Sequence, residues 1–268
     1  MRLITGWERP AGTPAYTARP ARPPDPLPAV VVIQEVWGVD EHIRDLTDRF
    51  ATAGYYAVAP DLFAENGERP AALSEDRLEG LKLFLDQAPP AVWRDPTARE
   101  AALAALPEPD GSAMRETVAR VLTPDRPYAR WLRTLVDVAA ALRGAPTCSG
   151  RVMCTGYCLG GHLSALLAGA DSDLAAAAIY YGTSPDMSAM GALACPLIGF
   201  YGGEDARITG TVAAFQEALH AAGKRFEAHV YPGAPHAFFN DTRPSYRIDA
   251  ARDAWARTLR LFADQAAP

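Results

Sequence analysis

Cys158 stands at the centre of Gly156-Tyr157-Cys158-Leu159-Gly160-Gly161, directly after the apolar run Arg151 to Thr155 and directly before a helix-forming run, Leu163 to Leu167. A strand that turns sharply into a helix through G-x-nucleophile-x-G holds one side chain at the top of a parallel sheet, with its sulfur near a helix N-terminus. There the backbone N–H groups and the positive end of the helix dipole favour thiolate over thiol, and the thiolate is the nucleophile. Such a centre needs a base and an acid. Downstream, the run Pro196 to Tyr201 ends in Gly202-Gly203-Glu204-Asp205, and the alternating strand Arg225 to Tyr231 is followed by the loop Pro232-Gly233-Ala234-Pro235-His236. His236 is the histidine that follows a strand in a Gly/Pro loop. Either Glu204 or Asp205 is placed to face it. The remaining histidines read as structural: His42, His220 and His229 as solvated or capping residues, and His162 as a packed helix residue. Glu35 ends an apolar strand, where a lone charge is costly unless it is paired or useful.

The elements that must carry these residues read as alternating strands and helices. Ala29 to Gln34 is a continuous apolar run, as expected of a strand buried on both faces of a parallel sheet. Asp40 to Ala53 places Ile43, Leu46 and Phe50 at helical spacing and ends at Gly54; Tyr55 to Ala59 is the next strand. This is a β-α-β unit. Ala175 to Tyr180, Pro196 to Tyr201 and Arg225 to Tyr231 supply later strands; Tyr128 to Leu142, Thr211 to Ala222 and Ser245 to Phe262 supply helices. The opening stretch holds Pro10, Pro14, Pro20, Pro23, Pro24, Pro26 and Pro28, so an edge strand or extended arm is expected there. From 64 to 127 short helical stretches (Ser74 to Gln87, Thr97 to Leu106, Met114 to Leu122) alternate with prolines, which predicts a helical insertion or lid within a single domain spanning 1–268. Nucleophile, acid and histidine fall in the chain order of an α/β-hydrolase, each just after a predicted strand. The expected class is therefore α/β, an α/β-hydrolase fold with a mostly parallel sheet flanked by helices.

The chain also resembles a known family. Gly156-Tyr157-Cys158-Leu159-Gly160-Gly161, Gln34-Glu35-Val36-Trp37-Gly38, Pro60-Asp61-Leu62-Phe63, Tyr201-Gly202-Gly203-Glu204-Asp205 and Pro235-His236-Ala237-Phe238 together are similar to the dienelactone hydrolase (carboxymethylenebutenolidase) family, from about Val30 to about Phe262. The resemblance implies a Cys158, Asp205, His236 triad, the amides of Val36 and Leu159 as oxyanion hole, and Glu35 beside the resting thiol as its regulator. Trp37 and Tyr157 are the candidate substrate-binding residues. Where well-known members carry a Ser and an Arg after the catalytic histidine, this chain has Ala237 and Asn240. The implied activity is hydrolysis of an ester or lactone through a covalent acyl-enzyme, with no cofactor and no metal. The alternatives are a thioesterase or general carboxylesterase on the same triad, or a small-molecule-binding protein of the same fold without turnover.

Composition bounds the partners. With 268 residues the chain is long enough for a full core, and a formal net charge of −6 offers little to a phosphate backbone. A small-molecule substrate is expected, and neither nucleic acid nor membrane. Met1 to Glu8 has no apolar leader and no run approaches the ~18 apolar residues of a membrane span, so a cytoplasmic protein is expected. The four cysteines (Cys148, Cys154, Cys158, Cys195) form no C-x-x-C pair, which suggests reduced thiols and no zinc site.

Overall fold

The structure is a computed structural model that describes residues 1–23 and 26–266; Pro24 lies outside them. It divides into two compact units, Met1–Leu62 with Tyr128–Pro268, and Phe63–Pro127.

The first unit is built on one eight-stranded sheet. Its strands are β1 (Leu3–Glu8), β2 (Ala15–Pro20), β3 (Leu27–Ile33), β4 (Tyr56–Pro60), β5 (Cys148–Tyr157), β6 (Ala176–Tyr180), β7 (Leu197–Gly202) and β8 (Phe226–Tyr231), in the order β1-β2-β4-β3-β5-β6-β7-β8. From β4 to β8 every pairing is parallel. The fold is that of an α/β-hydrolase. Ala29 to Ile33 are all 0% exposed, which is why β3 reads as an unbroken apolar run.

The proline-rich opening forms the expected edge strand, β1, and a second strand inside it. β1 and β2 pair antiparallel, and β2 pairs antiparallel with β4, so β2 lies one strand in from the edge. The prolines fit because they avoid the ladder interior: Pro10 starts the turn between the strands, Pro14 precedes β2, and Pro20 is its last residue. Helix α1 (Glu41–Thr52) is capped by Asp40, whose side chain accepts from the Ile43 N–H at 3.0 Å, and it buries Ile43, Leu46 and Phe50. The C-terminal helix begins at Ile248, later than the expected Ser245, because 243–247 are held in turns: Tyr246 N–H reaches the Arg243 carbonyl at 3.1 Å and Arg247 N–H the Phe238 carbonyl at 2.9 Å.

The second unit contains the helices α2 (Glu75–Gln87), α3 (Pro90–Arg94), α4 (Pro96–Ala104) and α5 (Asp110–Val121), after which α6 (Tyr128–Arg143) belongs to the first unit. Its buried apolar side chains include Phe63, Leu73, Leu78, Leu81, Leu85, Val92, Leu103 and Val121. Arg77 spans two of its helices, donating to the Ala113 carbonyl at 2.8 Å and to Glu116 at 2.9 Å, and Arg115 pairs with Glu100 at 2.9 Å.

Candidate active site

β5 runs straight into helix α7 (Leu159–Ala170), with Cys158 between them at φ 54° and ψ −111°. A non-glycine residue in that region is strained by an amount on the order of 1–3 kcal/mol and persists only where its surroundings hold it. Here they do. The Cys158 N–H donates to the Tyr180 carbonyl of β6 at 3.0 Å, and the turn closes against β3. A Cβ on Gly160 would lie 2.3 Å from the Ile33 carbonyl oxygen, and one on Gly156 would lie 1.9 Å from that of Gly160. Both glycines are thus dictated by backbone passing backbone.

Asp205 caps the short helix Ala206–Thr209 after β7, and His236 sits in the loop after β8. His236 Nδ1 lies 2.6 Å from Asp205 Oδ2, and its ring also hydrogen-bonds the Cys158 side chain. Glu204 is exposed, so of the two candidate carboxylates Asp205 is the one that meets the imidazole. Desolvation disfavours the imidazolium, but the Cys158 charge, the hydrogen bonds to Asp205 and Cys158 and the Asp205 charge outweigh it and push His236 up to about 10. Burial works against the Asp205 carboxylate, yet the hydrogen bond and charge of His236, with the Arg207 charge and the Ile208 N–H, hold it below its ordinary range.

Glu35 follows β3 and is 3% exposed. Its Oε1 accepts from the Tyr181 hydroxyl at 3.1 Å and its Oε2 from Asn240 Nδ2 at 3.0 Å. Tyr181, at φ 40°, immediately follows β6; its ring packs edge-on to His236 with centroids 5.1 Å apart. Burial, the Glu35 charge and the charges of Tyr157 and Cys158 push its hydroxyl well above the usual tyrosine range. Neither Tyr181 nor the Asn240 contact was foreseen from sequence. The available signal for Tyr181 is its place at the C-terminal edge of a parallel strand, where α/β proteins collect ligand-facing groups.

Val36 lies in the tight turn in which the Gly38 N–H meets the Glu35 carbonyl, and Leu159 is the first residue of α7. Because the Cys158 N–H is taken by Tyr180, Leu159 carries the next amide at the elbow. Trp37 is 5% exposed with the Arg243 guanidinium 5.7 Å above its ring. Tyr157 is not brought into this group. Alternation along β5 sends its ring to the core, 0% exposed, stacked on Tyr180 at 4.6 Å and against Phe239 at 5.6 Å.

Of the other histidines, His220 is exposed, as expected, whereas His42 departs from expectation. His42 is 2% exposed, with Nδ1 3.7 Å from Asp241, instead of solvated at its helix end. His229 stacks on Phe200 and His220 Nε2 meets the Phe226 carbonyl at 2.9 Å. His162 Nδ1 meets the Thr183 carbonyl at 2.9 Å. Cys148, Cys154 and Cys195 are buried, and burial pushes all three thiols up, Cys195 to about 12. Cys158 is the partly exposed one. No group of three or more His, Cys, Asp or Glu side chains suited to a metal ion occurs among the described residues, and no described helix is long and apolar enough to cross a membrane.

Comparison with known proteins gives one consistent result. The model of the dienelactone hydrolase family matches residues 13–266. The provisionally named carboxymethylenebutenolidase of Escherichia coli (strain K12) is 33% identical over 261 residues, with 93% of this chain and 81% of that protein covered. The one from Saccharolobus solfataricus is 31% identical over 238 residues, covering 88% and 89%. Among solved structures, a provisionally named dienelactone hydrolase from Klebsiella pneumoniae superposes with a TM-score of 0.71 at 33% identity, covering 98% of this chain and 99% of the other.

Proposed function

The chain belongs to the dienelactone hydrolase family and is a hydrolase acting on esters or lactones, and on that premise we propose that it works by covalent catalysis at Cys158. The observation that carries this reading is the strained elbow that presents Cys158 to an imidazole already bonded to Asp205. The Cys158 thiolate attacks the carbonyl carbon, and the C=O electron pair moves onto oxygen. The N–H groups of Val36 and Leu159 hold that oxyanion. His236, with Nδ1 engaged by Asp205, gives its other ring proton to the leaving alkoxide as the C–O bond breaks, which leaves a thioester. A water then loses its proton to His236 and attacks the thioester; collapse expels the thiolate, releases the acid and restores the imidazolium. Asp205 orients the ring and steadies its cation. Glu35 acts on the thiol as a nearby fixed charge.

The substrate favoured is a neutral ester or lactone. Ala237 offers no polar atom beyond its backbone, and the Asn240 amide is engaged by Glu35. A substrate carboxylate would therefore lack charge-assisted donors from that stretch. Comparing kcat/KM for cis-dienelactone with that for an uncharged lactone decides this; a strong preference for the carboxylate would contradict it. For the nucleophile, Cys158→Ala should abolish hydrolysis of a short p-nitrophenyl ester while the fold persists by circular dichroism. Iodoacetamide should inactivate the wild type with the label on Cys158. Wild-type turnover in Cys158→Ala, or inactivation with label confined to Cys148, Cys154 or Cys195, would defeat the assignment.

A further inference from the structure

The eight-stranded sheet ends on two unlike strands. At β8 the outer edge is blunted: Gln216 Nε2 and His220 Nε2 of the helix Val212–Ala221 lie 3.3 Å and 2.9 Å from the Phe226 carbonyl oxygen. β1, at the other end, has no such device. Ile4 is 42% exposed and Trp7 52%, Leu3–Glu8 contains neither Pro nor Lys, and its register with β2 runs without a bulge. Prolines, lysines and bulges are the means by which proteins keep an edge from pairing with another chain. β1 also lies ahead of residues 13–266, which the family model matches. Its pairing with β2 fixes which backbone groups it offers. The Ala21 N–H donates to the Arg2 carbonyl at 3.0 Å, so Arg2 and Ala21 form a hydrogen-bonded pair. Alternation along an antiparallel ladder then turns the N–H and C=O of Ile4, Gly6 and Glu8 towards β2 and those of Leu3, Thr5 and Trp7 outwards. Pro20, opposite Leu3, fits this phase, because it has no N–H with which to close a bonded pair there.

We propose that β1 is a docking edge for a second copy of this chain, which joins the two sheets through an antiparallel pair of β1 strands about a two-fold axis at Thr5. Only outward-facing residues can exchange bonds, which excludes a slip by one residue. Of the registers left, the one that sets Thr5 opposite Thr5 uses every outward group. Leu3 of each copy meets Trp7 of the other, so two apolar pairs flank the axis and about six backbone hydrogen bonds form. The residues between them agree with that register. Arg2 comes opposite Glu8, an opposite-charge pair made twice, and the Glu8 carboxylate is already steadied by the Tyr56 hydroxyl at 2.9 Å. Ile4 comes opposite Gly6, where even an added Cβ would meet nothing within 4 Å, so the larger side chain has room. A slip by two residues in either direction loses a bonded pair and takes Arg2 away from Glu8. The strand is thus complementary to itself in hydrogen bonds, apolar contacts and charge, which is what an isologous interface requires.

This inference is independent of the chemistry at Cys158. A strand pair of this length makes a small interface beside the ~1,200 Å² of stable complexes, so sedimentation velocity of the full chain from about 1 to about 200 µM should show a monomer giving way to a dimer. Thr5→Pro removes the outward N–H on the axis while sparing the bonds to β2, and should weaken association at least about tenfold. Arg2→Glu and Glu8→Arg, each of which sets like charges opposite one another twice, should weaken it by about three- to tenfold. The double variant Arg2→Glu/Glu8→Arg should return to within about twofold of wild type, because the pairs are restored with their signs exchanged. Circular dichroism checks each fold, and the charge variants keep the test available if Thr5→Pro disturbs β1. A wild type that stays monomeric over the whole range would overturn the proposal and leave the edge to a different chain. Undiminished association in Thr5→Pro would place the interface elsewhere and overturn it too. So would single charge variants that associate like wild type, or a double variant as weak as the single ones.

Discussion

Asp205 and Glu35 each follow a strand of the same sheet and each bonds a residue that contacts or surrounds Cys158, but their settings differ in kind. Asp205 faces a cation, the His236 imidazolium at 2.6 Å, and its charge is matched whenever the histidine is protonated. Glu35 is 3% exposed and bonded by two uncharged donors. The first carboxylate can follow a proton as it moves during a reaction, because its partner changes charge. The second has partners that do not, and is held by two bonds that any single substitution can cut. The two carboxylates are thus held in different ways, one by a partner that can carry charge and the other by two neutral donors.

Breaking the first arm should produce the largest effect. Asp205→Asn leaves the shape but removes the charge that orients His236, and kcat should fall by about three to four orders of magnitude, as for the buried Asp of other triads. Glu35→Gln should cost less than about tenfold in kcat. Steady-state kinetics on one ester settle the ranking, and equal losses would erase the distinction drawn here. A second, intermediate effect concerns the cation itself. Because the Cys158 charge is the largest influence raising His236 to about 10, Cys158→Ser should bring the imidazole down by about two units or more, read by NMR titration. The sign for stability follows. A raised histidine contributes fully below its unfolded value of about 6.5, and the contribution is lost as pH rises through about 10. Wild type should thus lose stability over that window relative to Cys158→Ser.

The smallest effect belongs to the residue beside Asn240. Asp241 is held well below the ordinary carboxylate range by the His42 ring, 3.7 Å away, against desolvation, and by Arg49, 2.5 Å away. Asp241→Asn should cost roughly 0.5–1 kcal/mol at neutral pH, the usual scale of a solvent-accessible pair. The depressed value means that this contribution is present above the normal carboxylate range and fades as acid protonates the wild type. Thermal melts at neutral and acidic pH should show the two proteins converging in acid.

What the sequence made readable was local. The unbroken apolar run of β3, the spacing of Ile43, Leu46 and Phe50, and the glycines flanking Cys158 each reflect a constraint acting within a few residues, and β3 and α1 formed within a residue or two of their expected places, while the helix after the elbow runs longer than its expected Leu163 to Leu167. Asp205 prevailed over Glu204 through tertiary geometry that favours one side of a turn. The opening carries the expected edge strand, β1, while the inner place of β2 has a long-range cause: Tyr16 of β2 is opposite Ala59 of β4, a pairing that prolines at the strand ends obscure. The grip on Glu35 is less legible still, since its donors lie 146 and 205 residues along the chain. His42 was misjudged because its burial depends on Asp241 and Tyr157, far away in sequence.

The elbow has a last implication, about when function appears during folding. The strained backbone at Cys158 is held by the Tyr180 carbonyl and by the close passage of α7 over the Ile33 carbonyl, segments that meet only after three strands have assembled. An isolated β5–α7 segment would relax to an ordinary backbone conformation and point the sulfur elsewhere. The presentation of the Cys158 sulfur is therefore a product of the finished sheet. A partly folded chain can hold nearly all its helices and strands and still be chemically silent, which makes catalytic competence a stricter gauge of native packing than secondary structure.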